Sequence, residues 1–269
     1  MIAAPIRYHR ATSLEDALAA LAAPEAKALA GGQSLIPVLK LRIARPELVV
    51  DIGGVGLDAI EDAREVVRIG ALTTWDALAR AEQLSSPGLA AIGECAARIG
   101  DLQVRNRGTL GGGLAHADPA SDMPAVLLAL GATVTARSDE GERSIPVDDL
   151  LVGPFQTTLG EQELITEVTV PVPPDGSGSA YEAVEHPASG FALAGAAALV
   201  RPDGSSSVAI TGVSSRPLAL ASGDAGAALR DVEIFGDRSY PAEYRRELAK
   251  VVVGRALARA RQRAQEDRS

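Results

Sequence analysis

The spacing of apolar positions changes along this chain, and the changes predict a mixed set of elements. Residues 5–9 read as a short extended segment. Ser13, followed three positions later by Asp16, then opens the alanine-rich run 17–22 as a capping box with Asp in the usual Glu or Gln place. Residues 27–30 form a brief apolar approach to Gly31-Gly32-Gln33-Ser34, after which LIPVLKLRIA keeps helical spacing up to Ala44, and Pro46 breaks it. Residues 48–52 and 66–71 read as strands, and Thr74 caps a helix through Ala81. A further helix over 87–99 carries Cys95 as a small buried apolar group. Residues 106–120 are dense in glycine and read as a loop, and Ser121-Asp122-Met123-Pro124 opens a helix to Leu130.

From Ala132 the texture turns to short strands, predicted at 133–137, 163–170, 180–184, 191–200 and 207–213. PVPPDGSGS, residues 171–179, is the best linker candidate and marks a domain boundary. A short helical stretch near 224–229 and a long closing helix from about Tyr240, with Pro241 in its first turn, complete the pattern. No fixed-period repeat marks a solenoid. The class is α+β rather than a regular βαβ series.

Composition narrows the chemistry. At 269 residues the chain is long enough for one large domain or two modest ones. Its single cysteine cannot supply a disulfide framework, a four-thiolate zinc site or a protein-held iron-sulfur cluster. The net charge of -9 argues against a nucleic-acid partner, and the locally basic stretch 255–268 reads as the solvated face of the last helix. No apolar run approaches the roughly 18 residues of a membrane span, and MIAAPIRYHR lacks a signal-peptide core, so the expectation is a cytoplasmic protein without an integral membrane segment.

Two glycine loops carry the chemical signal: Ala30-Gly31-Gly32-Gln33-Ser34, and Thr109-Leu110-Gly111-Gly112-Gly113 leading into HADPASD. Glycines let backbone N–H groups approach a phosphate closely, so the pair could clasp a pyrophosphate from both sides, with Ser34 and Thr109 as hydroxyl donors. Neither loop contains the Gly-Lys-Ser/Thr of a P-loop, and neither matches the GxGxxG dinucleotide fingerprint. His116, Asp118 and Asp122 are open to a metal-ligand reading, but Asp122 equally suits a helix cap or an acceptor for a ribose hydroxyl, and His116 a packed loop position. No nucleophile-base pairing emerges.

These residues resemble the FAD-binding medium subunits of molybdenum hydroxylases, the group of aerobic carbon monoxide dehydrogenase and xanthine dehydrogenase. AGGQSLIPVLKLRIARPELVVDI is similar to the family's first flavin loop and TLGGGLAHADPASDMPAVLLALGA to its second. ELITEVTVP and DRSYPAEYRRELAKVVVGRAL are similar to later family segments, so the resemblance spans nearly the whole chain. It implies a two-subdomain FAD-binding domain of the vanillyl-alcohol oxidase and p-cresol methylhydroxylase type over 1–172, with subdomains about 1–55 and 56–172. A small α+β C-terminal domain over 173–269 follows.

On that resemblance, Leu29, Ala30, Gly31, Gly32, Gln33, Ser34, Leu35 and Ile36 wrap the FAD pyrophosphate from one side, and Thr109, Leu110, Gly111, Gly112 and Gly113 from the other. Asp122 binds a ribose or ribityl hydroxyl, Ile99 and Leu164 offer apolar contact to the flavin, and Phe191 lies near the isoalloxazine. This sequence departs from the family in having Gly113 where many members have Asn or Asp, Phe191 where relatives often carry Tyr, and Glu182-Ala183 where many place a lysine. Those departures bear on how the flavin potential is tuned.

The implied role is electron transfer. A large molybdenum-cofactor subunit oxidises the substrate, a small subunit with two [2Fe-2S] clusters relays electrons, and FAD on this chain passes them to a final acceptor, in a dimer of heterotrimers. The resemblance implies no substrate-directed acid or base and no protein-held metal here. Two other readings stand beside it: a self-sufficient flavin oxidase, for which aromatics are sparse at 3%, and a noncatalytic assembly subunit without flavin, against which the intact glycine loops speak.

Overall fold

The computed structural model of the chain describes residues 2–221 and 224–266. Strands β1 (Arg7–Arg10), β2 (Ala26–Leu29) and β3 (Leu48–Asp51) form a parallel sheet in the order β1-β3-β2. The segment expected only as an approach to the first glycine loop is therefore a strand. Helix α1 (Leu14–Leu21) packs Leu18 and Leu21 on Val50 and Ile52. Ser13 caps it by accepting from the Asp16 N–H at 3.1 Å, while the Asp16 carboxylate reaches back to the Thr12 N–H rather than to Ser13. Helix α2 (Leu35–Lys40) stops short of Ala44 because Arg42 takes a left-handed φ of +58°.

A second, antiparallel sheet starts with the hairpin β4 (Ile60–Asp62) and β5 (Val66–Gly70). Five helices follow: α3 (Trp75–Arg80), α4 (Ala90–Arg98), α5 (Leu102–Arg105), α6 (Leu110–His116) and α7 (Met123–Leu130). The chain then returns through β6 (Thr133–Arg137), β7 (Glu142–Pro146), the short α8 (Val147–Leu150) and the small pair β8 (Leu151–Gly153) and β9 (Gln156–Thr157). Strand β10 (Leu164–Pro171) closes this sheet by inserting between β5 and β6, in the order β4-β5-β10-β6-β7. Ile69 and Val168 join Leu78, Ile92, Leu110, Leu114 and Leu127 in its core. Each such side chain, fully buried, contributes about 1.5–3 kcal/mol.

Residues 106–120 are not the loop expected of them, since α6 occupies their middle. Thr109 caps it, accepting from the Gly112 N–H at 3.3 Å, and Leu110 and Leu114 are buried. Glycine costs about 1 kcal/mol relative to alanine inside a helix, and here tertiary contacts offset that cost.

The remaining strands, β11 (Gly178–Glu185), β12 (Ala192–Val200), β13 (Ser206–Thr211) and β14 (Leu218–Leu220), form an antiparallel sheet in chain order. After the short α9 (Ala225–Ala228), the long α10 (Ala242–Glu266) covers one face of it. The other face shares a core with α4 and α7 through Tyr181, Ala197, Leu199 and Ala209. Covered on both sides, β12 is buried at every position, which is why its sequence is an unbroken apolar run. The linker between β10 and β11 is only residues 172–177. Residues 267–269, including Arg268 of the basic stretch, lie outside the described residues. Among the described residues no helix is long and apolar enough to cross a membrane.

Candidate functional site

A cavity of about 570 Å³ draws its lining from β2, the first glycine loop, the start of α3, the second glycine loop and the segment between β9 and β10. The parallel sheet and the five-stranded antiparallel sheet meet here, and each contributes a wall through its loops. Loops on a rigid scaffold are the usual place for binding chemistry.

The first loop joins β2 to α2 and presses against the chain that leads into the second. A Cβ on Gly31 would lie 1.9 Å from the Arg107 carbonyl oxygen and 2.9 Å from the Gly108 Cα, so no side chain fits there. Gly32 has a φ of +75°, in the left-handed region that favours glycine. Among the described residues, nothing accepts from the backbone N–H groups of Gly31, Gly32, Gln33 and Ser34. Four donors in sequence on a cavity wall form an anion-receptive surface.

The second loop is different. Its amides are already bonded: Leu110 N–H to Thr73 O at 3.0 Å, Gly111 to Ala71 O at 2.8 Å, Gly112 to Thr109 Oγ1 at 3.3 Å and Gly113 to Thr109 O at 3.0 Å. The two loops are thus not equivalent clasps, as their similar composition suggests. This wall offers glycine Cα surface and side chains, chiefly Thr109 and Trp75.

The third wall carries no sequence motif that marks it. Phe155, Leu159, Glu161 and Glu163 line it. Phe155 takes a φ of +57°, its N–H donates to the Ala117 carbonyl at 2.9 Å, and its ring lies 5.1 Å from that of His116. Glu163 receives two bonds from Arg143, at 2.6 and 2.7 Å, which hold its carboxyl below the usual range.

Of the residues expected at the site, Ala30, Gly31, Gly32, Gln33, Ser34, Leu35, Thr109, Gly111, Gly112, Gly113 and Leu164 line this cavity. Leu110 is buried behind it, and the Leu29 and Ile36 side chains pack beside Gly32. Ile99, Asp122 and Phe191 are outside the lining: Ile99 ends α4, and Phe191 is a half-exposed residue preceding β12.

Asp122 makes no capping bond to α7 and instead accepts a short hydrogen bond from the Tyr181 hydroxyl. Burial pushes its carboxyl up to about 6, against the lowering effect of that bond and of Arg98. The loop before it is tied down by Thr211, whose hydroxyl reaches the carbonyls of Pro119 and Ser121 at 3.1 and 2.7 Å. Asp118 accepts from the Ala120 N–H, and among the described residues no group of His, Cys, Asp or Glu could hold a metal ion.

The sequence profile of the FAD binding domain in molybdopterin dehydrogenase matches residues 4–173. The chain is 40% identical to the 6-hydroxypseudooxynicotine dehydrogenase complex subunit alpha of Paenarthrobacter nicotinovorans, covering 96% of this chain and 95% of that one. It is 37% identical to the carbon monoxide dehydrogenase medium chain of Afipia carboxidovorans, over 98% and 99% of the two chains. A solved chain of carbon monoxide dehydrogenase from Hydrogenophaga pseudoflava superposes with a TM-score of 0.93 at 34% identity, covering 98% of this chain and 99% of that one. With a profile match over most of its length and relatives matched end to end, the chain belongs to the molybdopterin dehydrogenase FAD-binding family, as an FAD-binding medium subunit of the multi-subunit molybdenum hydroxylase type.

Proposed function

We propose that FAD lies in the cavity between the two glycine loops, and that this chain conducts electrons from iron-sulfur clusters on a partner subunit to a final acceptor. One observation carries the reading: four unpaired amides at residues 31–34 stand on the wall facing a surface kept bare by Gly112 and Gly113. A Cβ at Gly113 would meet the Trp75 ring at 2.8 Å and one at Gly112 the Thr109 hydroxyl at 2.7 Å, so the glycines let Trp75 and Thr109 stand where they line the cavity. Bound FAD supplies the ability to accept electrons singly and release them in pairs.

The residues of the chain bind and orient. The amides of residues 31–34 and the Thr109 hydroxyl hold the pyrophosphate, Leu164 and Ile99 offer apolar contact to the flavin, and Phe191 lies near its ring. Asp122 accepts from a ribityl or ribose hydroxyl with its orientation fixed by Tyr181. Residues 1–172 form the FAD-binding domain, in subdomains of about 1–55 and 56–172, and residues 173–269 the smaller C-terminal domain. The partners are a large molybdenum-cofactor subunit and a small [2Fe-2S] subunit, in a dimer of heterotrimers. Relatives named for carbon monoxide and for 6-hydroxypseudooxynicotine share this type of subunit, which supports a substrate site on another chain.

The test is co-expression with the neighbouring open reading frames, followed by measurement of flavin, iron, molybdenum and subunit ratio. One FAD per copy of this chain is expected, together with both metals, and Gly31→Ala is expected to lower flavin occupancy at least about tenfold by forcing the loops apart. A complex with FAD but no iron-sulfur or molybdenum partner overturns the relay. Full flavin occupancy in Gly31→Ala overturns the cavity.

A further inference from the structure

Trp75 is the chain's single tryptophan. It opens α3, is 5% exposed, and turns its ring into the lining of the cavity. The second glycine loop is shaped around this ring. A Cβ on Gly108 would lie 2.6 Å from the indole Nε1, and a Cβ on Gly113 would lie 2.8 Å from Cζ2. A side chain at either position would therefore displace the indole.

Among the described residues, nothing accepts from the indole N–H, and although the ring is largely buried this nitrogen is not sealed off from solvent, so the donor is open where the residue lines the cavity. The amides of Leu110, Gly111, Gly112 and Gly113 are all bonded within the protein. On this side of the cavity, the donors left for a ligand thus include the Trp75 indole N–H and the Thr109 hydroxyl. Nothing in the family resemblance assigns a role to position 75.

We propose that Trp75 is a cofactor-binding residue, whose indole N–H donates to an oxygen of the pyrophosphate-ribityl chain of FAD. It supplies on the second loop's side what the free amides of residues 31–34 supply on the first. This rests on FAD occupying the cavity, and the two claims fail in different ways.

The single indole gives one N–H signal in a nitrogen-proton correlation spectrum of the full chain, so it can be followed without assignment. The chain is stripped of flavin and titrated with FAD, and binding is measured separately from flavin fluorescence. The indole proton is expected to move downfield on binding, and its exchange with solvent to slow about tenfold or more. Trp75→Phe, which keeps the ring packing and removes the donor, is expected to weaken FAD binding about 5- to 10-fold. An indole signal and exchange rate unchanged in a chain that has taken up FAD overturns the proposal and leaves the cavity reading standing. Failure to take up FAD at all overturns both.

Discussion

Asp122 is a carboxyl whose surroundings favour its neutral form, and that has a sign. Its ordinary value is 3.8, and in the folded chain burial raises it to about 6. Between those two values the unfolded chain has released the proton while the folded chain still holds it. The contribution of Asp122 to stability is therefore full below pH 4, declines by up to about 3 kcal/mol as pH rises to 6, and is flat beyond. Asp122→Asn can keep the Tyr181 contact without ionising, so the difference in melting temperature between wild type and variant is expected to shift in the variant's favour from pH 4 to pH 6. A constant difference would count against this assignment. The site residues that could be read from sequence were those with a backbone reason to be glycine, such as Gly31 and Gly32. Trp75 and Phe155 could not, because a single aromatic looks the same whether it fills a core or lines a cavity.

At the scale of elements, α10 is held against β11 and α4 by charge as well as by apolar packing. Arg259 and Arg263 both bond to Glu94, and Arg259 also bonds to Glu182. Burial alone would raise the Glu94 carboxyl, but Arg263, with Arg259, holds it below its usual range. Glu94→Gln leaves two arginines facing a neutral group and is expected to cost about 1–3 kcal/mol, read as a lower thermal midpoint. The elements legible in the sequence were those with a strong period or a cap: α1, α3, α7, β12 and α10 all lie near their predicted places. Helix α6 was hidden because three consecutive glycines suppress the helical signal, and its stability comes from contacts distant in the chain. Strands β4 and β7 were hidden because they are short, polar edges.

For the whole molecule, the α+β texture and the change near residue 132 were visible, but the arrangement of the sheets was not. Pairing across a sheet is set by partners far apart in sequence, and no local pattern records that β10 belongs between β5 and β6. The family profile ends at residue 173, yet the core does not end there. Tyr181, Ala197, Leu199 and Ala209 are packed into the same cluster as α4 and α7. A chain cut after residue 172 is accordingly expected to expose that face, to melt at lower temperature than the full chain and to self-associate in light scattering. Equal stability of the two would show that the shared core contributes little.

The central position of β10 also bears on how the chain is made. During synthesis β5 and β6 both emerge before the strand that joins them, so β5 waits with an unsatisfied edge while about a hundred further residues are added and β6 while about thirty are, for seconds at ordinary rates. The third wall of the cavity leads directly into β10, so the cavity is finished only when that strand docks. On the proposed placement of FAD, the cofactor is taken up only after the sheet has closed, and a newly made chain is most exposed to wrong strand pairing in the interval before it.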